Sequence, residues 1–310
     1  MSATAKAEDK DSVFADVNDK IDKILGLTKG KPPMFCHKAA SDQLTKHGMK
    51  VGAELVREIY DQIELNWAKS KKPRPAAELW VPRRLSEWSV EWRSAEVPLE
   101  RSAVALFKFY DVLRERLDNK PNPALTWFNQ IPIASGIVSK RESRNAIDLV
   151  CRTARGIYDF VELKFPKPGS TSETPLNAAM EILKNGVLYM FTRRHLIDLE
   201  AQGYKPRLEE DQELTGVDAR EILEAKSVTL CVLAPRYFYD AYDLAWLEDE
   251  LNRGIKDHLI KQPVDGLEIG FRFEYLPDKP FEISPKDGFG FKLDFSRFHL
   301  DQWDRASSPR

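Results

Sequence analysis

The chain has 310 residues, of which 42% are hydrophobic and 31% charged, with a formal net charge of -2 at pH 7. That length buries a sizeable core, in one large domain or two smaller ones, and the composition is that of an ordinary globular protein. The balanced charge excludes a general nucleic-acid coat protein, which would be strongly basic, but not an enzyme that meets a polyanion through a local patch.

Three cysteines, Cys36, Cys151 and Cys231, are far apart and odd in number, and no CxxC pair occurs. A structural zinc site is therefore not expected. A reduced, cytoplasmic setting fits this usage better than a secreted one. The N-terminus lacks the apolar stretch of a signal peptide. No run of 18 apolar residues occurs, so no membrane span is predicted.

Residues 1–12 read as a flexible polar tail. Residues 13–97 read as a helical N-terminal region. Its first helix is spaced by Val13, Phe14, Val17, Ile21, Ile24 and Leu25, and is ended by Gly26, Gly30 and Pro32-Pro33. One or two further helices follow over 38–69, around Val51, Leu55, Val56, Ile59, Ile63 and Leu65. Segment 78–93 carries Trp80, Trp88 and Trp92 interleaved with Arg83, Arg84 and Arg93. Bases stack on tryptophan and phosphates attract arginine. Amphipathic packing over a core edge explains the same pattern and is preferred.

Residues 98–235 read as an α/β unit, with a mixed central sheet flanked by helices. A helix over 98–118 leads into a strand within 125–139 that holds Trp127, Phe128, Ile131 and Ile133. A hairpin follows: Ala146-Ile-Asp-Leu-Val-Cys151, the turn 152–156, and Ile157-Tyr-Asp-Phe-Val-Glu-Leu-Lys-Phe165. Thr174 with Pro175 opens a helix expected to reach about Ala201. An acidic stretch, 207–226, contains a short helix, and 227–234 is a buried strand. Residues 236–310 read as a helix, a strand and an irregular extension packed on that core.

Side chains alternate along a strand. Tyr158, Phe160, Glu162 and Lys164 therefore share one face, with Asp159, Val161, Leu163 and Phe165 on the other. The hairpin brings Asp148 beside Glu162 and Lys164. Two carboxylates and an ammonium at the end of a covered face suit a hydrated Mg²⁺ and a phosphodiester. The competing reading is a cross-strand ion pair on an open face, worth little.

Ile147-Asp148, thirteen residues, then Glu162-Leu163-Lys164, set in the order helix, three strands, helix, strand, resembles the PD-(D/E)XK nuclease superfamily, the restriction-endonuclease-like fold. The resemblance covers roughly 140 of the 310 residues. Ile147 stands where the family name has proline. Asn185-Gly-Val-Leu-Tyr189 is the nearest analogue of the Gln-x-x-x-Tyr motif of exonuclease-like members, with Asn for Gln. A second Glu-x-Lys, Glu224-Ala225-Lys226, reads as a helix end.

The resemblance implies a Mg²⁺- or Mn²⁺-dependent nuclease acting on DNA. Asp148 and Glu162 would be metal ligands, with the Leu163 backbone carbonyl and Glu100 as further ligands and Glu181 as a weaker candidate. Lys164 would be the catalytic cation, orienting water or meeting charge on the phosphate. Lys167, Lys184, Arg193, Arg194 and His195 could contact nucleic-acid phosphates, although cations late in a helix also complement its dipole. The five histidines show no metal-binding spacing, and no nucleotide-binding glycine loop or GxSxG elbow occurs. A catalytically inactive nuclease-like fold, serving as a nucleic-acid or protein binding module, is the alternative. A homo-oligomer or a protein partner is compatible with either reading.

Overall fold

The computed structural model describes residues 12–27, 30, 33–40, 50–69, 80, 126–133, 145–166, 173–201, 219–276, 283–285, 291–293 and 304–305. The expected helix over 98–118, and with it Glu100, lies outside these residues, as do Lys167, Trp88 and Trp92. Among the described residues no helix is long and apolar enough to cross a membrane.

The architecture is α/β, a mixed sheet flanked by helices. Its main strands are β1 (Thr126–Pro132), β2 (Ala146–Ala154), β3 (Ile157–Leu163), β4 (Ser227–Pro235) and β5 (Glu268–Leu276). They lie in chain order, and a two-residue strand, β8 (Asp304–Arg305), closes the edge beside β5. A separate hairpin pairs β6 (Ile283–Pro285) with β7 (Phe291–Leu293). The β1–β2 and β2–β3 pairs are antiparallel, and the β3–β4 and β4–β5 pairs parallel. The β2–β3 connection is the two-residue turn Arg155-Gly156. Gly156 has φ 75°, a conformation that glycine adopts without steric cost.

Parallel neighbours need crossovers. The first crossover contains α3 (Pro175–Arg194), α4 (Leu196–Ala201) and α5 (Ala219–Leu223), and the second is α6 (Ala245–Lys261). Thr174 caps α3 by accepting the Asn177 N–H at 3.1 Å, with Pro175 in the first turn, as the sequence predicts. The helical path reaches Ala201 as expected, interrupted only at His195. His195 packs against Phe191 and Trp67, with ring centroids 4.6 and 5.0 Å away.

α3 sits unusually close to the sheet. A Cβ on Gly186 would come within 2.3 Å of a Leu230 methyl on β4, so any other residue here would have to displace that side chain. Sixteen of its residues are buried, which explains why its apolar pattern is broad instead of one stripe.

The N-terminal helices are not a separate layer. α1 (Val17–Ile24) and α2 (Gly52–Lys69) share one apolar cluster with α3, α6 and the sheet. Leu55, Val56, Ile59 and Ile63 of α2 are fully buried, whereas Leu65 faces out at 47% exposure. The strand expected in the C-terminal segment spans 268–276 and pairs with β4 in the central sheet. Trp80 is fully buried between Phe160 and Tyr189, a packing role.

Candidate active site

Tyr158, Phe160, Glu162 and Lys164 do share the face that α3 covers, and all four are buried. Aromatic packing fills the first half of that face and charge occupies its end. The strands part where the charges begin. The last β2–β3 couple is Leu149–Val161, and one further step would set Asp148 opposite Glu162 on the same face. There the ladder gives way. Leu163 donates its N–H to Asp148 Oδ2 at 3.0 Å, which fixes that carboxylate. Within a strand the N–H and C=O of one residue point the same way, so the Leu163 carbonyl is directed toward Asp148. Lys164 donates its N–H to the Leu233 carbonyl at 2.9 Å, which pins the lysine backbone to β4.

Lys164 Nζ lies 2.8 Å from Glu162 Oε1 and 2.7 Å from Glu181 Oε2. The Glu162 and Lys164 side chains are each 10% exposed, and that of Glu181 is 36% exposed. Burial, with Asp148 close by, pushes the Glu162 carboxyl well above the usual carboxylate range. Burial works against the Lys164 ammonium, but Glu162, Glu181 and Asp148 outweigh it and raise its pKa. Burial also opposes ionisation of Glu181, and Lys164 beside it reverses that effect. The site thus gathers more negative charge than its lysine compensates.

The three carboxylates Asp148, Glu162 and Glu181 line a cleft of about 280 Å³. Three amides, Gln130, Asn145 and Asn185, share it, with Lys184 and Phe14 among its other walls. Oxygen donors in a polar cleft suit a hard cation such as Mg²⁺ or Mn²⁺. Excess negative charge at the buried pair is what a divalent cation would relieve. Among the described residues no group of three or more His, Cys, Asp or Glu side chains could hold a metal ion. A fit therefore rests on two carboxylates with backbone oxygen and water, the usual manner of Mg²⁺.

Gln130 has no signal in the sequence. The β1–β2 register pairs Asn129 with Leu149 and Ile131 with Ile147, so Gln130 stands across from Asp148. Its φ is 54°, sparsely populated for any residue but glycine, and such strain gathers at functional sites. Asn145 and Phe14 were equally hidden, because they reach the cleft from a strand entry and from the N-terminal segment.

The remaining candidates divide. Lys184 lines the cleft; its Nζ donates to Asn18 Oδ1 at 3.0 Å and stands 5.8 Å from the Phe14 ring centroid. Of Asn185-Gly-Val-Leu-Tyr189, only Asn185 lines the cleft. The Tyr189 hydroxyl donates to the Ile222 carbonyl at 2.7 Å inside the core. Arg193 donates to the Ala225 and Asp265 carbonyls at 2.7 and 3.1 Å, tying the far end of α3 to two loops. Arg194 is exposed beside Tyr60 and His258. Glu224 pairs with Arg220 at a helix end, the role expected for the second Glu-x-Lys. Compared with protein-family models, with curated proteins and with solved structures, the chain matches none.

Proposed function

We propose that this protein is a metal-dependent nuclease, hydrolysing phosphodiester bonds with DNA as the first substrate to test, on a restriction-endonuclease-like core. One observation carries the reading: Asp148 and Glu162 line one polar cleft, with Lys164 paired to Glu162 behind it, at the point where β2 and β3 stop pairing. A structural ion pair would not need the ladder to open. The antiparallel β1–β2–β3 unit, the α3 crossover and the parallel β4 agree with the order of the core that the motif implies.

Asp148 and Glu162, with the Leu163 carbonyl, would hold Mg²⁺ or Mn²⁺. Such an ion would polarise the scissile phosphate and lower the pKa of bound water. Asp148 is kept in orientation by the Leu163 N–H. Lys164 supplies a buried positive charge beside Glu162, placed to meet charge developing on phosphoryl oxygens. Lys184, from the helix wall, offers a second cation to a neighbouring phosphate.

The test is incubation with labelled single- and double-stranded DNA and RNA in Mg²⁺, Mn²⁺ or chelator. Cleavage that needs the metal and disappears in Glu162→Ala and Lys164→Ala supports the reading. Binding without cleavage on every substrate favours a catalytically inactive module instead.

A further inference from the structure

We propose that Glu181 is a positioning residue for Lys164, holding its ammonium beside the cleft when a divalent cation takes Glu162. This rests on the reading of Asp148 and Glu162 as cation ligands. Lys164 Nζ is bridged almost evenly, 2.8 Å to Glu162 and 2.7 Å to Glu181. The two anchors come from different walls. Glu162 is on β3, two residues from the lysine itself, and Glu181 is on α3, which covers that face.

A cation and Lys164 compete for the same Glu162 carboxylate, and like charges repel at that range. A lysine head on a flexible four-carbon stem leaves for water once its partner is withdrawn. Glu181 is the anchor that remains. Its helix is packed closely on the sheet, with Gly186 against the Leu230 side chain. Lys184, one turn along, donates to Asn18 instead. Glu173 and Asp148 also act on Lys164 electrostatically, but Glu162 and Glu181 are the carboxylates within ion-pair distance. With Glu181 neutral, Lys164 would grip Glu162 alone and oppose the cation more strongly.

The experiment is Mn²⁺ titration calorimetry on the full chain in four forms: wild type, Glu181→Gln, Lys164→Met and the double variant, each checked by thermal melting. Lys164→Gln replaces Lys164→Met if the latter does not fold. Glu181→Gln is expected to weaken Mn²⁺ binding about three- to tenfold, and to have no effect once Lys164 is gone, as contacting residues couple in a double-mutant cycle. Nitrogen-15 spectra of labelled lysine in Mg²⁺ give the second readout. A protected ammonium signal, absent in Lys164→Met, should persist in wild type and vanish in Glu181→Gln. An equal loss of Mn²⁺ affinity in both lysine backgrounds makes Glu181 a direct ligand and overturns the proposal. So does a protected signal that survives Glu181→Gln. Absence of Mn²⁺ binding by wild type removes the cation-site reading itself, and this inference with it.

Discussion

The two faces of β3 solve one problem in two ways. On the α3 side Lys164 stands between Glu162 and Glu181. On the other side Arg272 of β5 stands between Asp159, at 3.0 Å, and Glu274, its contact to Glu274 being shorter still. Each is one cation between two carboxylates. In the Arg272 set Asp159, Glu274, Cys151 and Cys231 are all buried, the guanidinium itself is 29% exposed, and its fork locks its partners in fixed directions. The Lys164 set borders a cleft, one of its carboxylates is a third exposed, and its cation is a single mobile head. Burying charge is costly in both places. In the first arrangement the partly exposed group is the cation, whereas in the second it is a carboxylate lining a polar cleft with two others, and that separates a candidate site from a structural cluster.

The largest test of this contrast is to remove each cation in turn. Arg272→Met should cost about 3–5 kcal/mol, the loss expected when one partner of a buried ion pair is withdrawn. Lys164→Met should cost less, about 1–3 kcal/mol, because Glu181 can rehydrate into the cleft. Urea denaturation reads both, and equal losses would erase the distinction.

A pH series needs one correction before it can compare the two clusters. His258 of α6 is 5% exposed, tilted against the Tyr60 ring with Arg194 and Lys261 nearby, and burial lowers its pKa from 6.5 to about 4. Its folded pKa lies below its unfolded one, so the unfolded chain takes up the proton first. Stability is present above pH ~6.5 and is lost as pH falls toward 4, by about 3 kcal/mol at most. His258→Phe should flatten that part of the curve, measured by denaturation between pH 7 and 4.

Glu162→Gln tests the crowding of carboxylates directly. Without divalent cation it should raise stability by about 0.5–2 kcal/mol, while abolishing cation binding, as stability and function trade at strained sites. Thermal melts with and without Mn²⁺ check both halves. The smallest effect is expected at Gln130. Gln130→Gly should stabilise by up to about 1 kcal/mol, since glycine accepts the positive φ, and Gln130→Ala should not. If the side chain matters to the cleft, both variants weaken Mn²⁺ binding alike.

Much of the fold could be read from local patterns, because each pattern was decided by its neighbours in the chain. Thr174-Pro175 marks the start of α3, alternation marks β3, the run 227–234 marks β4, and Gly156 marks the turn. What was not legible lay where contacts are distant in sequence. The interruption at His195 within the helix to Ala201 and the pairing of the strand at 268–276 with β4 both involve partners far along the chain.

By itself the sequence determined that Glu162 and Lys164 share a face with Tyr158 and Phe160, since strand periodicity allows nothing else. It also set the hairpin that carries Asp148 toward them. Only the tertiary structure decided that β2 and β3 part at those residues, that Gln130 stands across from Asp148, and that Glu181 reaches Lys164 from α3. Those placements depend on how strands splay and how closely a helix approaches a sheet. Gly186 against Leu230 sets that approach through packing between segments more than forty residues apart, which no local pattern encodes.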